Sequence, residues 1–199
     1  MNTKHGMAAL ALVATMILGT GVVLAADYEV DAAHSAVGFQ VKHLTISKVN
    51  GSFGEVAGTF VFTEGEPDSW QAEATIQLAS VDTGNQKRDD HLRSEDFFNV
   101  AEFPVMTFKS TSVKMENDSE GTMTGDLTMH GVTNPVTLDL EYNGSVKDPW
   151  GNDRAGFSLT GKLNRKEWGL TYNAALESGG LVIGETVKIS LDVEGIKAK

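Results

Sequence analysis

Val136-Thr137-Leu138-Asp139-Leu140-Glu141-Tyr142 places an apolar side chain at every second position and a polar one between. A repeat of two is the signature of a β-strand with one buried and one wet face. Val187-Lys188-Ile189-Ser190-Leu191-Asp192-Val193 reads the same way, as do Val37 to Val41 and Trp70 to Leu78. Weaker alternation, interrupted by glycine or threonine, covers residues 54–63, 105–115, 122–129 and 155–163. About eight strands result, the number that closes a barrel around one ligand.

Between these runs lie turn-forming segments: Glu64-Gly65-Glu66-Pro67-Asp68, Asn117 to Gly121, Asn143-Gly144 and Asp148 to Asp153. Short links between neighbours predict an antiparallel meander. The stretch from Asp82 to Phe98 breaks the pattern. Asn85-Gln86-Lys87-Arg88-Asp89-Asp90-His91-Leu92-Arg93 is polar and helix-prone, with Asp82 or Thr83 placed to cap it. A helical insertion around residues 83–98, lying across a barrel face or mouth, is expected.

Upstream, Met1-Asn2-Thr3-Lys4-His5 precedes an almost uncharged run from Met7 to Leu24, with small residues at Ala25 and an acid at Asp27. This is the pattern of a cleaved secretory leader over residues 1–25, leaving one domain over residues 26–199. No later apolar run is long enough to span a bilayer, so no stable membrane insertion is expected. The chain has no cysteine, so packing and ladder hydrogen bonds carry its stability. Without Lys4 the balance is 15 basic against 27 acidic side chains, a net charge of −12. Such a surface repels nucleic acid and argues for a soluble carrier or enzyme; a monomer or homodimer is expected.

Catalytic patterns are sparse. There is no G-x-S-x-G segment, and His34, His43, His91 and His130 lack the close spacing that marks many metal sites, so neither metal nor cofactor is expected. Their convergence in space stays open. The apolar inventory says more. Val37, Phe39, Val41, Phe53, Phe60, Phe62, Phe97, Phe98 and Phe108 are the candidate interior, either packed solid or lining a lipid-shaped gap. His43 shares the parity of Val41, and Arg88, His91 and Arg93 form a basic group in an acidic chain. These four are candidate contacts for a ligand headgroup, with strand-end hydrogen bonding and surface ion pairing as the plainer alternatives.

Five ordered blocks carry a family resemblance. They are Asp31-Ala32-Ala33-His34-Ser35-Ala36-Val37-Gly38-Phe39 with His43 after it; Val81 to Phe98; Phe103-Pro104 with Thr107-Phe108-Lys109-Ser110; Gly125 to Val136; and Asp148-Pro149-Trp150-Gly151 with Arg154 to Phe157. On these the chain resembles the YceI family across nearly all of residues 26–199. Tyr28 stands where many members have tryptophan, and Glu167 replaces a common aspartate. The resemblance implies a lipocalin-like barrel, export to the periplasm of a Gram-negative bacterium, and binding of a long-chain isoprenoid, quinone-like or related lipid. It transfers no catalytic residue.

Three readings follow: a lipid carrier or store, an enzyme acting on such a lipid through His43 or His91, and an interaction protein with a filled core. Geometry constrains the first. A ten-residue strand rises about 33 Å, or about 25 Å along the axis at a 40° tilt. An extended forty-carbon prenyl chain, on the order of 35 to 40 Å, must bend unless the strands are longer.

Overall fold

The wall of the barrel is built from strands that follow one another in the chain. The computed structural model describes residues 26–175 and 181–199; the leader expected over residues 1–25 lies outside them. The strands are β1 (Ala26–Val30), β2 (Ala36–His43), β3 (Ser47–Phe53), β4 (Val56–Phe62), β5 (Gln71–Gln77), β6 (Val81–Asp82), β7 (Val105–Met115), β8 (Glu120–Met129), β9 (Val132–Lys147), β10 (Asp153–Asn164) and β11 (Ile183–Lys197). One α-helix, α1 (Gln86–Arg93), stands between β6 and β7.

All pairings are antiparallel, and β1, β4, β5, β7, β8, β9, β10 and β11 form a closed ring, sealed by Tyr28 opposite Lys197. β11 continues past β1 to pair with β2, β2 with β3, and β3 with β6. β1 with β2, β3 with β4, and β5 with β6 are therefore three long strands, each broken once. Counted this way the fold is an up-and-down barrel of eight strands in chain order, as the alternation predicts.

The pattern weakens where the backbone changes register. In β7 an irregularity between Ser110 and Ser112 shifts the inward face from Met106 and Phe108 to Val113 and Met115. One extra residue does this because side-chain direction alternates with a period of two. Asn143-Gly144 corrects the sequence reading. It lies inside β9, opposite a shift between Gly156 and Phe157, and Gly144 has φ of 114°. An Asn-Gly pair can relieve a bulge as well as make a turn, since both need backbone conformations that glycine tolerates. The expected cap of α1 is also different: Asn85 Oδ1 accepts from Arg88 N–H, while Asp82 and Thr83 precede the cap.

Two apolar clusters fill the ends. At one end Tyr28, Phe60, Phe62, Trp70, Tyr142 and Phe157 pack ring against ring at 5.0 to 6.0 Å between centres, Tyr28 and Phe60 stacked and the other pairs tilted or edge-on, closing the barrel with an aromatic floor. Trp70 Nε1–H donates to Thr63 O at 2.7 Å, so its buried N–H is satisfied. At the other end Val37, Phe53, Leu78, Val81, Phe98, Leu127, Trp168 and Leu170 pack together, with Leu92 of α1 against them. Trp168, 1 % exposed, anchors this end through Nε1–H to Leu127 O at 3.0 Å. No described helix is long and apolar enough to cross a membrane.

Candidate functional site

An elongated cavity of about 240 Å³ runs inside the barrel between the two clusters. Its wall follows the inward face of each long strand. Ile183, Val187, Ile189, Leu191 and Val193 mark it along β11, and Phe60 and Trp70 bound it at the aromatic floor. Leu92, Phe97 and Phe98 bound it at the helical end. From Ile183 to Val193 the strand rises about 33 Å, or about 25 Å along the axis at ordinary barrel tilt.

Of the interior residues expected from sequence, Val37, Phe39, Val41, Phe53, Phe60, Phe97, Phe98 and Phe108 line the cavity. Phe62 belongs to the aromatic floor, between Tyr28, Trp70 and Phe157. The polar candidates fall elsewhere. His43 ends β2 opposite Ile183 and Ser47, at the rim. Arg88 donates from Nε to Thr83 Oγ1 at 2.7 Å and from Nη2 to Thr83 O at 2.9 Å. Arg93 donates to Ala79 O and Val81 O, both at 2.8 Å, tying α1 to the strand before it. His91 meets Asp96 Oδ2 at 2.8 Å and stacks edge-on against Phe97 and Tyr172. None of the four is among the described cavity-lining residues. Their bonds hold the helical segment against the barrel end.

Two features of the wall escaped the sequence reading. Met106, Met123 and Met129 line the cavity, and methionine is the apolar side chain best able to change shape around a ligand. The period of two marks Met123 and Met129 as inward, but β8 is too rich in glycine and threonine to display it. Arg165 is the second. It sits in the 3-10 turn Arg165–Trp168 after β10, is 4 % exposed, and borders the cavity. A lone arginine beside Lys166 and Glu167 carries no sequence signal of burial.

Among the described residues, one group of three possible metal-ligating side chains converges: Asp31, His34 and Glu194. Arg154 stands among them. Its guanidinium donates to Asp31 Oδ2 and Asp148 Oδ2, each at 2.8 Å, and to Glu194 Oε1. The Arg154 hydrogen bond, with help from His34, holds the Asp31 carboxyl down at about 2. Burial pushes the Asp148 carboxyl up, but bonds from Arg154 and Asn152 outweigh this and hold it well below the usual carboxylate range. The arrangement is a salt-bridge network clamping the β9–β10 loop to the segment after β1.

A closed eight-stranded antiparallel barrel with an apolar interior cavity defines the lipocalin-like class of fold. The YceI-like domain model matches residues 28–195, and the chain belongs to the YceI family. Protein YceI of Salmonella newport is 42% identical over 188 residues, which cover 94% of this chain and 95% of that protein. The solved YCEI protein of Campylobacter jejuni is 34% identical with a TM-score of 0.69, covering 85% of this chain and 96% of that one. A polyisoprenoid binding domain from Saccharophagus degradans shares the fold at 18% identity and a TM-score of 0.62, covering 88% and 100% of the two chains.

Proposed function

We propose that this protein binds a long-chain isoprenoid or related apolar lipid inside its barrel, and stores or carries it through the periplasm. The observation that carries this reading is the continuous apolar cavity between aromatic floor and helical end. The polyisoprenoid binding named for the Saccharophagus degradans domain supports it. An acidic surface, −11 over the whole chain, suits a water-soluble carrier of an insoluble cargo.

The cavity bounds the cargo. Its length of about 25 Å takes roughly twenty-five carbons of extended prenyl chain, so a longer tail folds back or projects from an end. At about 240 Å³ the cavity is below the roughly 300 to 1,000 Å³ common for ligand pockets. Loading therefore displaces wall side chains, and Met106, Met123 and Met129 are the ones able to yield. Binding of this kind needs no catalytic group. At about −0.3 kcal/mol per heavy atom, twenty-five buried carbons give roughly −7.5 kcal/mol, micromolar affinity or slightly weaker.

Native mass spectrometry of protein purified without detergent from its own envelope, followed by organic extraction, tests the reading. A mass excess of several hundred daltons that extracts as a prenyl lipid supports it. Clean apoprotein that also fails to bind polyprenyl and quinone probes would sink it and favour a filled barrel acting through protein contacts.

A further inference from the structure

Arg165 is a cation placed where none is needed for the wall. Its Nε donates to Gly184 O at 3.0 Å and its Nη1 to Leu170 O, which fixes the plane of the guanidinium. Nη2 is fully enclosed and has no hydrogen-bond partner among the described residues. The neighbouring carboxylate, Glu185, is engaged by Lys166 Nζ at 2.6 Å. Glu73, the other ionisable residue bordering the cavity, is exposed and pairs with Lys109 on the outer face. Burial thus desolvates the charge on Arg165, the nearby Glu185 is shared with Lys166, and among the described cavity-lining residues no carboxylate faces it from inside the barrel.

A buried donor left unpaired is costly, more so when it is charged, and folded proteins rarely leave one without a role. The cost is removed when an acceptor arrives with the ligand. We propose that Arg165 Nη2 receives the head of the bound lipid, and that the site prefers chains ending in an anionic oxygen, a carboxylate or a phosphate monoester. A charge-assisted bond from a guanidinium is stronger than a neutral one, which sets the preference over an alcohol of the same chain. The proposal rests on the lipid-binding reading above and adds the direction of the cargo. The head lies at the helical end beside Leu170 and Ile183, and the tail runs toward the aromatic floor.

The test uses the delipidated full-length protein and three probes with one twenty-carbon chain: geranylgeraniol, geranylgeranoic acid and geranylgeranyl monophosphate. Affinities are read by titration calorimetry. In the wild type the acid, the monophosphate or both should bind at least about ten-fold tighter than the alcohol. Which one leads tells a carboxylate cargo from a phosphate cargo. In Arg165→Met the ratio of anion to alcohol affinity should fall to about one, and Arg165→Lys should keep part of the preference. Equal affinity for the three probes in the wild type, or an unchanged ratio in Arg165→Met, overturns the proposal and leaves the lipid reading standing. Failure of all three to bind the wild type overturns both. Because Arg165→Met also loses two backbone bonds, the Arg165 Nε–Hε resonance of the wild type provides a second readout. It should move with the acid or the monophosphate and stay in place with the alcohol; no movement with either anion counts against the proposal.

Discussion

Trp168 and Arg154 show how single side chains hold the two ends of the barrel. Trp168 is 1 % exposed and gives its indole N–H to Leu127 O, so truncation opens a cavity and removes that hydrogen bond. We expect Trp168→Ala to lower the unfolding free energy by about 3 to 5 kcal/mol in urea titrations. Arg154 acts through charge. Asp31 and Asp148 have carboxyls depressed by the fold, so their contribution is complete above the unfolded value near 4 and fades as pH falls through the folded values. The melting temperature of Arg154→Met should lie below that of the wild type at pH 7, and the gap should narrow steadily between pH 4 and pH 2. A gap that is constant over that window would show that the network contributes through packing alone.

Element by element, the sequence displays strands best where the period of two is unbroken. β9 and β11 can be read directly because Leu138, Leu140, Ile189 and Leu191 sit on a single inward face. β7 is harder, since its bulge swaps the inward parity midway, and β3 is hidden because Ser47-Lys48-Val49-Asn50-Gly51-Ser52-Phe53 is mostly polar. Gly51 explains part of that: a Cβ there would come within 2.3 Å of Phe39 Cζ, so the inward position opposite Phe39 must stay bare. The helical insertion is legible from its polarity, whereas its purpose is not. Arg88 and Arg93 look like free cations in the sequence and are spent on Thr83, Ala79 and Val81 in the fold. Conversely, the buried Arg165 reads as surface because its neighbours Lys166 and Glu167 are exposed. Asn85 makes the one side-chain cap of α1 at its N-terminus, and Asn85→Ala should cost about 1 kcal/mol. Hydrogen exchange should accelerate in residues 86–93 while β8 to β11 keep their protection.

For the whole molecule, the functional quantity is the length of the cavity inside the barrel. Leu191 lies on the cavity wall midway along β11, so Leu191→Trp should fill the space and abolish lipid copurification while the far-ultraviolet spectrum stays that of a β-barrel. Lipid at a hundred times its dissociation constant should stabilise the wild type by about 2.7 kcal/mol, a rise of roughly 5 to 11 °C in melting temperature. The same lipid should leave the Leu191→Trp melting temperature unchanged.

Closure of the ring joins Tyr28 to Lys197 and Val30 to Gly195, partners from opposite ends of the described chain. During synthesis the first strand therefore waits for the last. The hairpins from β7 to β11 are local and can form early, whereas the seam must pay the largest loop-closure entropy and forms only when β11 is complete. A chain stopped short of Ile183 is not a shorter container. It is an open sheet with two bare edges and an exposed apolar face, a template for aggregation.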